Sequence, residues 1–200
     1  MIEPRAGGGT VERAPAMDES ALQRIRSALQ RSVQVVEHRP AKAIGTAVTR
    51  VRVREGMTCE VRDGDWDLVI DLPVRWGGAD EGPNPGVVGR GALGACLSMA
   101  YLRWAADAGL PIDSLEVEIQ ADYDARGELG LADVTPAYTE VCYTVDVRSP
   151  APPEELRRAF ERAEERCPWL KVFADPMPMR RELRLESSDP GARSLDGEEA

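Results

Sequence analysis

The chain is short of several things that define common protein classes. It has one histidine, His38, and no G-x-S-x-G. A serine triad would have to be built on that single imidazole, so serine hydrolysis is a poor fit. Its four cysteines, Cys59, Cys96, Cys142 and Cys167, include no C-x2-C pair, the spacing from which structural zinc sites are usually made. Nor are they dense enough for a disulfide scaffold. Basic charge is scarce: 25 Lys and Arg stand against 35 Asp and Glu, a net charge of −10. Binding to nucleic acid or to an anionic membrane surface needs the opposite sign. No apolar run is long enough for a bilayer; the best, 86–106, is broken by Arg90 and Arg103. The first twenty residues lack a basic segment followed by an apolar one, so no secretory signal is expected and the location expected is cytoplasmic, with reduced thiols.

The 200 residues, 42% of them hydrophobic, suffice for one solid core. Residues 1–17 and 187–200 are Gly-, Pro- or acid-rich and are expected to be disordered tails. An N-terminal helix and linker occupy 18–44, where Leu22, Ile25, Leu29, Val33 and Val36 fall near helical spacing. The main domain is expected over 45–186. Val51 and Val53 alternate with Arg50, Arg52 and Arg54; Met57, Cys59 and Val61 form a second alternation; Leu68, Ile70 and Leu72 form a third. A loop from Pro73 to Pro85 leads into 86–108, apolar nearly all round and so expected to be a buried helix. Leu115 to Tyr123 and Val141 to Val147 alternate as strands. A helix from about Pro153 carries Leu156, Ala159, Phe160 and Ala163 on one stripe, which Cys167 continues. A last strand is expected at 180–186. Strands, buried helix, strands, helix and strand imply an α+β fold with helices on curved antiparallel sheets.

Gly89 to Gly94 spells G-x-G-x-x-G. A dinucleotide site would need a strand just before it, and Val87-Val88 after Pro85 is too short. The glycines are better explained as a place where a helix meets another backbone closely. Cys59 shares an apolar strand face and is expected to be plain core. Cys142 lies on a polar face with no partner. Cys96 sits inside the apolar helix, where burial alone makes a thiol inert. A reactive Cys96 therefore needs a cation, and an arginine stays charged even when buried.

The ordered set Gly77-Gly78, Gly82, Asn84-Pro85, Ala95-Cys96 and Cys167-Pro168 resembles the OsmC/Ohr family of thiol peroxidases. The segments 63–73, 115–124 and 149–156 are similar to it too. The resemblance spans about 45–186. It implies an intertwined homodimer in which sheets from both chains wrap two central helices, with the active site at the interface. It implies that Cys96 attacks a peroxide and becomes a sulfenic acid, that Cys167 resolves it as a disulfide, and that an external thiol or dithiol reductant, with no bound cofactor or metal, resets the pair. It implies an arginine beside the thiolate. Arg54, followed by Glu55-Gly56, matches best, although strand phase groups it with Arg50 and Arg52. The family often places glutamate directly after Asn-Pro to orient that arginine. Here the position is Gly86, so Asp80 or Glu81 is the nearest substitute. The alternative function is an OsmC-fold protein that binds a small apolar ligand with little turnover; a third is a structural role with inert thiols.

Overall fold

A computed structural model describes residues 19–185. The expected tails at 1–17 and 187–200 lie outside the described residues. Helix α1 (Glu19–His38) is followed by strands β1 (Arg50–Glu55), β2 (Thr58–Asp63) and β3 (Trp66–Ile70). Helix α2 (Pro85–Asp107) comes next, then β4 (Ser114–Tyr123), the short α3 (Ala125–Glu128), β5 (Tyr138–Arg148), α4 (Pro153–Glu165) and α5 (Pro168–Ala174). The strands form two separate antiparallel sheets, β1-β2-β3 and β4-β5.

The core lies where α2, α4 and the β4-β5 ribbon meet. Leu93, Leu97, Ala100, Tyr101, Ala163 and Cys167 form one buried cluster, flanked by Val117, Ile119, Val145 and Phe160. A second cluster joins Ala105, Leu110, Ile112, Leu156 and Ala159. Full burial of each leucine contributes about 2 kcal/mol by area. Gly94 explains part of the glycine-rich stretch: a Cβ there would come within 3.3 Å of Ile119 Cγ1, so its absence lets α2 sit close on β4. Asn84 starts α2 by accepting a hydrogen bond from the Val87 N–H at 3.0 Å, with Pro85 in the first turn.

Three expectations need correction. The helix at 86–108 forms, yet among the described residues part of it stays uncovered: Val87 and Met99 remain 46% and 65% exposed. Val51 and Val53 were expected to be half-buried and are instead 61% and 62% exposed. The β1-β3 sheet makes its main contacts within itself and contributes no residue to either buried cluster. The strand expected at 180–186 does not form over 180–185, which has no ladder partner among the described residues. Helix α1 lies against α2 through its first half, whereas Val33, Val35 and Val36 stay exposed.

Leu97 is wholly buried at the centre of the first cluster. Leu97→Ala is expected to lower the unfolding free energy by about 2–5 kcal/mol, the range for a leucine cavity. Urea titration measures it; a loss below about 1 kcal/mol would contradict this packing.

Candidate active site

Cys96 faces the core from α2, and Cys167 follows the last turn of α4. The turn is closed by Arg166 N–H to Ala163 O at 3.2 Å and Cys167 N–H to Glu164 O at 3.3 Å. Pro168 then opens α5, with Cys167 as its cap residue. Sequence periodicity missed this helix; the signal was Pro168 in a first-turn position followed by the apolar WLKVFA. The two sulfurs stand 3.5 Å apart. That is hydrogen-bond range for thiols and well beyond the ~2.05 Å of a disulfide, so the pair is a reduced dithiol within reach of closure.

The environments differ. Cys167 has no exposed surface, while Cys96 is half-buried. Burial pushes the Cys167 thiol up, against the Leu170 and Trp169 N–H groups, which pull it down; the neighbouring Cys96 sulfur pushes it further up. Cys167 thus keeps its proton and donates it toward Cys96. Cys59, the expected core residue, is half-buried, and Cys142 is exposed.

Arg54 lies on the other sheet. Its register is informative: Val53 pairs with Cys59 and Glu55 with Thr58, leaving Arg54 as the extra residue of a bulge. A bulge re-aims a side chain. Arg54 thereby leaves the phase it shares with Arg50 and Arg52, and among the described residues it alone of the three forms ion pairs. Its partners are Glu81 and, at 3.5 Å, Glu60. These carboxylates raise the guanidinium further, Glu81 most. Strand alternation could not reveal the bulge, which conceals itself as an ordinary polar position. Cys96 and Cys167 come together in one chain, while Arg54 stands on the separate β1-β3 sheet, whose main contacts are within itself.

Glu81 is set by a residue the sequence reading passed over. Asp71, 1% exposed, accepts hydrogen bonds from Thr58 Oγ1 at 3.1 Å and from the N–H groups of Leu72 (2.7 Å), Ala79 (3.0 Å) and Glu81 (3.2 Å). Three loop amides and one strand hydroxyl thus converge on one carboxylate. Burial raises its pKa, but the four donors together win and hold it below the ordinary value. The loop can lie this close only because Gly78 and Gly82 lack a side chain: a Cβ would sit 1.8 Å from Leu72 O or 2.3 Å from Val69 O. Asp80, the other candidate, adopts a left-handed φ of 59° and makes no ion pair among the described residues. The signal for Asp71 was a charge ending an apolar alternation just before Leu-Pro.

Gly86 is crowded as well. A Cβ there would meet the Arg90 guanidinium at 3.1 Å, Asn84 Oδ1 at 3.2 Å and Tyr138 Oη at 3.2 Å. Arg90 donates to Tyr138 Oη at 2.9 Å across this space. Among the described residues no cluster of three or more His, Cys, Asp or Glu could hold a metal ion, and no helix is long and apolar enough to cross a membrane.

An α+β fold with small antiparallel sheets, one thiol on helix α2 and another at a Cys-Pro turn define the class. The chain belongs to the OsmC-like protein family, whose model matches residues 78–181, just over half of it. A crystal structure of an OsmC-like protein from Mycoplasma pneumoniae is similar with a TM-score of 0.56 at 14% identity, covering 65% of this chain and 88% of that one. A hypothetical protein from Aquifex aeolicus is similar with a TM-score of 0.52 at 11% identity, covering 66% and 89%. The organic hydroperoxide resistance protein OhrB of Bacillus subtilis is 22% identical with a TM-score of 0.43, covering 64% and 90%. No curated protein matches the sequence.

Because the folded pKa of Asp71 is depressed, its stabilising effect is complete above the unfolded value of ~3.9 and is lost as pH falls through the lower folded value. Asp71→Asn is expected to flatten that acid limb and to speed hydrogen exchange at the Ala79 and Glu81 amides at neutral pH. Exchange rates unchanged at both amides would contradict the bracing role.

Proposed function

We propose that the protein is a thiol peroxidase for organic or hydrogen peroxides, with Cys96 peroxidatic and Cys167 resolving. The observation that carries this reading is the 3.5 Å approach of the two thiols, one of them buried and kept protonated. The Cys96 sulfur attacks the terminal peroxide oxygen; the O–O bond breaks, Cys96 becomes a sulfenic acid, and the alkoxide leaves and takes a proton. Cys167 then forms the disulfide with release of water, and an external thiol or dithiol reduces it.

Arg54 is proposed as the cation that holds the Cys96 thiolate and the departing alkoxide. Family resemblance supports it, and so does the Glu81 pair, a carboxylate that orients the arginine although Gly86 supplies none. This pair weighs against the ligand-binding alternative, which rested on the carboxylate missing at Gly86. The proposed assembly is a homodimer, with the β1-β3 sheet of each chain laid over α2 of its partner. The exposed Val51, Val53 and Leu68 on the sheet and Val87 and Met99 on α2 are apolar surface of the kind such packing would cover. Arg54 would then meet the partner's thiol. No cofactor, nucleic acid or membrane enters this reading, and its proposed location is cytoplasmic.

The test is a titration of the reduced protein with one equivalent of cumene hydroperoxide, followed by disulfide mapping. A rapid Cys96–Cys167 crosslink, abolished in Cys96→Ser, is expected. Both thiols still free after the peroxide has been mixed in would overturn the peroxidase reading and favour a ligand-binding protein.

A further inference from the structure

Glu164 is the acidic side chain that enters the thiol cluster, and the reaction just described does not use it. A carboxylate beside an apolar core costs free energy unless it is hydrogen-bonded. Here it is: Tyr101 Oη–H donates to Glu164 Oε1 at 2.7 Å, and Tyr143 of β5 also lies against it. Tyr101 has no exposed surface and stacks on Phe160 with ring centroids 4.4 Å apart. Burial and Glu164 both push the Tyr101 hydroxyl up, so it remains a donor across the working pH range.

The placement matters. Tyr101 is five residues beyond Cys96 on α2, and Glu164 is three residues before Cys167. The backbone carbonyl of Glu164 accepts the Cys167 N–H. One residue therefore grips α2 through its side chain and carries the Cys167 turn through its backbone. The pair of helices that bears the two sulfurs is thus tied next to them by a charge-assisted hydrogen bond, about twice as strong as a neutral one. An apolar residue would have packed here without that tie.

We infer that Glu164 is a positioning residue for disulfide formation, holding Cys167 through the Tyr101 hydrogen bond at the distance from which it attacks oxidised Cys96. The inference rests on the proposed two-cysteine reaction. In that step the Cys167 sulfur attacks the Cys96 sulfenic sulfur; the S–S bond forms and the S–O bond breaks. The leaving hydroxide combines with the Cys167 thiol proton as one water, and no other oxidant or reductant takes part. The sulfurs must close from 3.5 Å to about 2.05 Å, so the resolving thiol is sensitive to displacement of its turn. Attack on the peroxide by Cys96 forms no bond to that turn, whereas resolution requires its sulfur.

Single-turnover kinetics separate the two steps. In Tyr101→Phe and Glu164→Ala, sulfenic acid formation is expected within about twofold of wild type, while disulfide formation slows at least tenfold, roughly the penalty of a misplaced reacting group. The unresolved sulfenic acid is then trapped by dimedone and goes on to sulfinic acid at high peroxide. Glu164→Gln keeps an acceptor oxygen for Tyr101 and is expected to recover most of the rate. Disulfide formation at the wild-type rate in both variants would overturn the inference, as would equal slowing of both steps. Tyr101→Phe keeps the ring in its stack, so it guards against a fold that simply fails in Glu164→Ala. If wild type itself forms no crosslink, the two-cysteine reading fails and this inference falls with it; if wild type crosslinks and the variants match it, only this inference falls.

Discussion

A thiol enclosed by leucine, alanine and tyrosine does not ionise without a cation, and the rest of this structure turns on that constraint. Burial drives the Cys167 thiol up and fixes its proton. On the proposed reading Cys96, half-buried and 3.5 Å from Cys167, is the sulfur that acts, with an arginine as its cation. Arg162 stacks 4.0 Å from the Trp104 ring centre and ion-pairs with Asp107 at 3.9 Å. The arginine that matches the family pattern stands on the β1-β3 sheet, which contributes no residue to either buried cluster. The proposed dimer is the arrangement that reconciles these facts.

On the proposed reading the segment from β1 to the start of α2 presents that arginine. The bulge turns Arg54 out of its strand phase. Asp71 gathers the loop amides, Gly78 and Gly82 admit the close approach, and Glu81 is delivered to the guanidinium. An exposed ion pair of this kind adds little to stability, typically under about 1 kcal/mol. Its value on the proposed reading is direction: it limits where Arg54 can point before a substrate arrives.

Much of the fold was legible because two-residue alternation and helical periodicity survive in the sequence. Leu115 to Tyr123 reads as a strand and forms one, and Pro85 starts α2 where Asn84 can cap it. What escaped has physical reasons. A bulge adds a residue without changing composition, so Arg54 looked equivalent to Arg50 and Arg52. Asp71 is polar in sequence yet buried, because its partners are backbone amides that any residue could supply. Helix α5 is seven residues long, too short for a periodic signal. Val51 and Val53 carry the alternation of a half-buried strand, but no described residue buries them. The meeting of Cys96 and Cys167 came from family resemblance; spacing alone across 71 residues would not give it.

The central claim is that the site is completed across two chains. It is tested most directly by mixing Cys96→Ser chains with Arg54→Ala chains, unfolding and refolding them together, and assaying peroxide reduction. Each variant alone is expected to be nearly inactive. If Arg54 serves its partner's Cys96, half of a random 1:1 mixture is mixed dimer and each mixed dimer holds one intact site of two, so about a quarter of wild-type activity returns. No recovery, from a mixture in which mixed dimers are demonstrated by mass, would contradict the account and leave Arg54 serving its own chain or none.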